Sequence, residues 1–286
     1  MKKILIPVLI VCAFVTCKSK NKDAVKDSIN TSDENRSKEV LEKFKPFIEG
    51  IWVKSDYIND VEKTRSPYES HYKLKGVASI AIALPNDKGD SARIGYSLNN
   101  HEGSDFVIYF KTGQMSTSLK TSLPDYDIKT NFYELGYKVK NQDTTLILYH
   151  YNKNREIINA VKFTKVLNSL PLDDMGYGIE YVTDEKLISG KYSTVDSTGN
   201  SFKIEFNSEG NVTGFLDFKT YYINTDFEAG PENNLDEIDF DVSTPKQKSY
   251  TFKFNVDTID LYDIDHNADS TLLMTGKLKY KLVRQK

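Results

Sequence analysis

Four histidines are the first candidates for chemistry: His71, His101, His150 and His266. A zinc site needs such side chains at short, repeated spacing, as in His-x-His or His-Glu-x-x-His, and these four share none. They read as surface or strand-face histidines, and His150, between Tyr149 and Tyr151, faces either a barrel interior or solvent. No Gly-x-Ser-x-Gly elbow and no glycine-rich phosphate loop occurs, so neither an activated serine nor a nucleotide cradle is marked. Seven carboxylates gather in DFEAGPENNLDEIDFD at 226–241. A calcium loop requires oxygen ligands in a set order with a bending glycine, and that order is absent. Paired carboxylates for glycoside hydrolysis come from distant strands and stay open as a reading. The plainer expectation is a solvated loop, then a strand with Asp239 and Asp241 on its outer face. Tyr149, Tyr151, Tyr221 and Tyr222 are the candidate ligand-binding residues, since aromatic walls with hydroxyl tips suit amphipathic or sugar ligands. Core filling is their other use. No catalytic set and no cofactor is expected.

What must position these groups begins with a leader. Residues 1–17 read MKKILIPVLIVCAFVTC, two lysines and an apolar run from Ile4 to Val15. That length suits a secretory signal and is too short for a spanning helix. Phe14-Val15-Thr16 before Cys17 resembles a bacterial lipobox, which implies cleavage after residue 16 and lipidation of Cys17. Cys12 is the other candidate, with bulky Val11 before it, and a plain secretory signal is the alternative. These are the only two cysteines, so no disulfide framework is available to the rest of the chain. Residues 17–37 are polar and charged, which predicts a flexible tether. With this leader, the Asn- and Lys-rich composition is similar to that of Bacteroidota envelope lipoproteins. The resemblance implies a lipid-anchored protein of the cell envelope, at the outer membrane rather than the inner.

Without residues 1–16 the chain carries 36 basic against 41 acidic side chains, formally −5, which argues against a nucleic-acid partner. Apolar residues alternate with period two throughout, the mark of half-buried antiparallel strands. Ile80, Ile82 and Leu84, then Phe106, Ile108 and Phe110, then Leu146 and Leu148, set the first half. In the second, Phe202, Ile204 and Phe206 turn through Asn207–Asn211 into Val212, Gly214, Leu216 and Phe218. The C-terminal run places Leu272, Met274, Leu278, Tyr280 and Leu282 on one face and Thr275, Lys277, Lys279 and Lys281 on the other. Short helices are expected over SKEVLEKFKPFIEG, capped by Ser37 and ended by Pro46, and over 183–190. Each hands over to a matching hexamer, FIEGIW at 47–52 and LISGKY at 187–192. The closing segments at 143–166 and 257–283 also correspond loosely, which points to duplication with unequal loops. The boundaries read as 38–167 and 183–286, with a Pro- and Gly-bearing linker at 168–182.

Gly50-Ile51-Trp52 after a short helix, Gly190-Lys191-Tyr192, and Leu282-Val283-Arg284 in the last strand resemble the lipocalin pattern. In that family the tryptophan packs across the closed barrel end and the arginine lies over its ring. The resemblance implies that Trp52 closes one barrel and Tyr192 with Arg284 a second. The arginine role in the first falls to Lys162 or Lys165.

The expected fold is all-β: two consecutive antiparallel β-barrel or sandwich modules, lipocalin-like, each preceded by a short helix. The expected role is non-catalytic, holding a small hydrophobic or amphipathic ligand or an envelope protein at the membrane surface. The alternatives are a packed interaction protein, such as an immunity or assembly factor, and a glycan-binding accessory.

Overall fold

A computed structural model describes residues 23–86, 89–169, 176–195, 199, 201–228 and 233–285, without the side chains of 23–32. The leader, Cys12 and Cys17 lie outside the described residues. The protein is mostly β, in two antiparallel sheets. The first contains β1 (Gly50–Lys54), β2 (Val77–Ile82), β3 (Ser91–Leu98), β4 (Glu102–Thr112), β5 (Ser118–Pro124), β6 (Phe132–Lys140), β7 (Asp143–Tyr151) and β8 (Ile157–Leu167). Each strand pairs with the next, and β1 returns to β8 to close a barrel with no free edge. Alternation sends Ile80, Ile82, Ile94, Phe106, Ile108, Leu146 and Leu148 into one core with Trp52 and Phe163.

The helix before β1, α1, runs Asp23–Ile48. It is not the short helix expected, and residues 23–37 are helical rather than a flexible tether. Nor does Pro46 end it. A proline this near the C-terminal end forfeits little of the helical ladder, and Glu49 N still reaches Lys45 O at 3.3 Å. Leu41, Phe44 and Ile48 of α1 belong to the barrel core, so the helix seals the end where β1 begins. Lys45 fastens it there by donating to Asn86 Oδ1 (2.9 Å) and to the Pro85 carbonyl (3.3 Å).

The second sheet contains β9 (Gly190–Val195), β10 (Ser201–Phe206), β11 (Val212–Thr213), β12 (Tyr221–Ile223), β13 (Glu237–Phe240), β14 (Lys248–Asn255), β15 (Thr258–His266) and β16 (Leu273–Arg284). Its order starts at β11, passes through β9 and β16, and ends at β12. The two end strands meet at one bridge, Asn211 with Thr220, where Val212 N donates to Lys219 O (2.9 Å) and Tyr221 N to Gly210 O (2.8 Å). The sheet therefore curls nearly shut around Phe206, Phe215, Phe218, Tyr221, Phe240, Tyr250 and Phe252.

Three patterns depart from simple alternation. The strand after the Asn207 turn stops at Thr213, because Gly214 (φ 76°) and Leu216 (φ 49°) turn the chain left-handed. Phe215 is thereby buried and Leu216 exposed, the reverse of the expected faces. Register shifts opposite Tyr262 rotate β16, so Leu273 is buried while Leu272, Met274 and Leu278 are exposed. Asp241 is also buried rather than on an outer face. At φ 48° it swings its carboxylate back to accept from Lys219 N (2.8 Å) and Thr220 N (3.0 Å), which holds the carboxyl below its ordinary range. Asp239 is half-buried and accepts from Ser249 Oγ.

The halves share a core. Tyr57, Ile58 and Val61 of α2 (Ser55–Thr64), which the single turn of α3 (Pro67–Ser70) follows, pack with Ile179, Val182 and Leu187 of α4 (Tyr177–Leu187) and with the inner face of the second sheet. The boundary at 182–183 therefore falls inside a helix: α4 starts within the expected linker, and α2 lies across the seam. Gly178 makes the approach possible, since a Cβ there would lie 2.5 Å from Ile51 Cγ2 on the outer wall of β1. Tyr57 and Thr183 hydroxyls bond at 2.9 Å beneath the seam.

Asp236 adds a titrating fastener. It accepts from Tyr68 N (2.7 Å) across the seam, and burial pushes its carboxyl up to about 6. A raised acid stays protonated when folded while its unfolded counterpart ionises, so it lowers stability as pH rises from about 4 to about 6 and adds no slope above. At 1.36 kcal/mol per unit the whole effect is up to about 3 kcal/mol. Asp236→Asn keeps an acceptor and loses the charge. Urea unfolding should find it more stable than wild type at pH 7.5 and equal at pH 4; equal stability at both would contradict the assignment.

Candidate functional site

The start of each sheet is built alike. At the first, Ile48 ends the helix, Gly50 adopts φ 124°, and the indole Nε1 of fully buried Trp52 donates back to Ile48 O at 2.7 Å. At the second, Gly190 adopts φ 146° and the Tyr192 hydroxyl donates to Ile188 O at 2.7 Å. Glycine is required at both because φ there is left-handed. Opposite Trp52 on the paired strand stands Lys165, its ammonium 4.9 Å from the indole; opposite Tyr192 stands Arg284, its guanidinium 5.7 Å from the ring. Arg284 also donates to Ser189 O at 2.5 Å. These groups lock sheet ends and line neither of the two cavities described below.

The four candidate tyrosines do not share one site. Tyr149 and Tyr151 lie on the outside of the barrel, in a separate small cluster with Ile147, Phe132 and Met115. The parity of β7 sends Leu146 and Leu148 inwards and the tyrosines outwards, where the 113–117 turn covers them. Beside them the fully buried Glu134 accepts from Gln114 N (2.8 Å) and Ser118 Oγ (2.6 Å), pinning that turn. Tyr221 fills the second core and donates to Asn207 O at 2.6 Å. His150 stacks on Tyr133 and bonds Asp125 at 2.8 Å. The Asp125 carboxyl, fixed first by Ile128 N and also by Asn131 and His150, is held down at about 2.

Tyr222 has a different setting. With Ser97, Asn100, His101, Glu102, Glu180, Thr225 and Asp226 it lines a cavity of about 520 Å³ at the seam. Three remote segments build it. The β3–β4 turn supplies Asn99 and Asn100 at φ 54° and 56°, a left-handed pair that asparagine tolerates, closed by His101 N to Leu98 O at 3.0 Å. Asn100 then donates to Thr225 O (2.9 Å) and Thr225 Oγ1 (3.0 Å), strutting one half against the other. His101 Nδ1 meets Asp226 Oδ2 at 2.7 Å, and that hydrogen bond and charge raise the imidazole pKa. The third segment is the first turn of α4, which brings Gly176 and Glu180. Burial, with Glu180 nearby, pushes the Tyr222 phenol up to about 12, so it remains a hydroxyl at neutral pH.

Ser97, His101 and Asp226 are the residue types of an acyl-transfer triad, and they share this cavity. The His–Asp bond is made. Ser97, only 4 % exposed, makes no side-chain hydrogen bond to any described residue, so nucleophile and base are not paired. The arrangement offers acceptors and charge, which suits binding. Sequence reading missed Ser97, Asn100 and Glu180; the Asn99-Asn100 turn signal was legible, whereas the meeting of three segments was not.

A second cavity of about 960 Å³ lies between the Asp33–Leu41 stretch of α1 and the barrel wall at Tyr109–Thr112 and Lys120. No known protein family, curated protein or solved structure matches this chain.

Proposed function

We propose that this is a non-catalytic, lipid-anchored protein of the cell envelope, two tandem lipocalin-like barrels that recognise their ligand at the seam between them. The observation carrying this is how the interiors are used. Trp52, Phe44, Phe106, Phe110 and Phe163 fill the first, and a continuous aromatic cluster centred on Phe240 fills the second. A barrel filled by side chains is a scaffold, while a carrier keeps room for its passenger. Two features support the tandem reading: both sheets run through eight strands in sequence order, and both begin with the same helix–Gly–aromatic lock. The anchor at Cys17 rests on the leader sequence alone. Under this reading α1, rather than a loose tether, carries the barrels away from the lipid.

Native mass spectrometry of gently purified protein tests the central part. The expected mass is the polypeptide with its acyl modification and no apolar passenger. A stoichiometric fatty acid, isoprenoid or similar molecule would overturn the scaffold reading and restore an interior carrier.

A further inference from the structure

We infer that the buried layer beneath the 113–117 turn, around Glu134, Tyr149 and Tyr151, is a binding site for a monovalent alkali cation, sodium or potassium. Glu134 carries its carboxylate into the protein with no exposed surface. Two glycines make room for it. A Cβ at Gly113 would lie 2.2 Å from Glu134 Oε2, and one at Gly136 would lie 2.8 Å from Thr117 O and 2.9 Å from the Tyr149 ring. Gln114 N and Ser118 Oγ satisfy part of the carboxylate, and no lysine or arginine pairs with it among the described residues. Lys120, directly opposite on β5, is exposed and lines the cleft beside α1 instead. A buried charge without a counter-charge is costly, so a cation is favoured there.

Two further oxygens point to a ligand. Tyr149 and Tyr151 are only 3 % and 2 % exposed, and neither buried hydroxyl has a hydrogen-bond partner among the described residues. Native proteins rarely leave such groups unsatisfied. Tyr149 is the cross-strand neighbour of Glu134, and the two tyrosine rings lie 6.2 Å apart. Tyr151 is close enough to feel the carboxylate: burial first, and then the Glu134 charge, push its phenol up to about 12. Burial raises the Tyr149 phenol as well, so both stay protonated at neutral pH and offer neutral oxygens. One negative charge among neutral oxygens suits a single positive charge, whereas calcium sites gather several carboxylates. Among the described residues no three His, Cys, Asp or Glu side chains converge to hold a metal. The effect reaches α1, because Lys43 donates to Ser116 O of the same turn at 2.8 Å. An ion that fixes the turn therefore also steadies the helix that seals the first barrel.

Urea unfolding of the full chain in sodium, potassium or tetramethylammonium chloride tests this, at one ionic strength so that screening is constant. Sodium or potassium should raise the midpoint saturably above its tetramethylammonium value, by mass action on the folded state. The larger shift identifies the ion. Tyr151→Phe keeps the ring and removes one ligand oxygen, so it should keep the circular dichroism of wild type and lose most of that gain. If Tyr151→Phe lowers the midpoint equally in all three salts, the hydroxyl holds ordered water and the cation assignment falls. If wild type shows no alkali gain and Tyr151→Phe raises the midpoint or leaves it unchanged, the hydroxyl has no partner and the site falls altogether. An alkali gain that persists in Tyr151→Phe puts the ion elsewhere and overturns the assignment.

Discussion

Trp52→Ala should lower unfolding stability by about 3–5 kcal/mol, the range for removing a large buried aromatic. The indole is fully buried at the sealed end of the first barrel, where it packs with Ile48 and Phe44 of α1. Its loss also leaves the Ile48 carbonyl without its 2.7 Å donor and Lys165 without the ring it lies over. Tyr192→Phe is the matched control in the second half. It deletes one hydrogen bond to Ile188 O and keeps the ring under Arg284, so about 1 kcal/mol should go. Urea unfolding followed by far-ultraviolet circular dichroism reads both. If Trp52→Ala costs less than the tyrosine hydroxyl, the tryptophan is not closing the barrel.

Phe240→Ala should cost a similar amount, and it should do so in both halves. Phe240 is fully buried, stacks on Phe218 at 4.7 Å, and meets Phe215, Phe206 and Tyr250 at 5.1–6.3 Å. Removing it opens a void at the centre of the second core, where so many neighbours cannot collapse inwards together. That core also contains Tyr57, Ile58 and Val61, which follow directly on β1 of the first barrel. The single tryptophan of the chain, Trp52, lies in the other half and reports on it alone. Its fluorescence midpoint in Phe240→Ala should fall together with the circular-dichroism midpoint. A Trp52 transition left at the wild-type midpoint would show that the halves unfold independently and that the shared core contributes little.

Much of this architecture was legible in the residues. Period-two runs such as Phe106–Phe110 and Leu146–Leu148 became barrel strands, and the two hexamers became the two strand starts. The faces were harder. β7 is apolar on both sides, with Leu146 and Leu148 against Ile147, Tyr149 and Tyr151, so alternation alone could not choose the inward one. Backbone geometry overrode pattern elsewhere: left-handed residues at Gly214 and Leu216 swapped Phe215 for Leu216, and register shifts in β16 exposed Met274 and Leu278. Composition misjudged 23–37, because a helix anchored at its far end by Leu41, Phe44 and Ile48 can continue through a polar run of low intrinsic propensity. The seam was the least legible part. Ser97, His101, Glu180, Tyr222 and Asp226 come from three segments whose meeting depends on Gly178 letting α4 lie against β1. No local spacing records that.

Energy transfer from Trp52 to the apolar dye 1-anilinonaphthalene-8-sulfonate is the most direct check on interiors filled by their own side chains. With no room in either barrel, titration should give no saturable transfer, and the blue emission of a buried indole should persist unchanged. Saturable, stoichiometric transfer that disappears in Leu148→Trp, which would crowd the same interior, would show an open barrel and contradict the account.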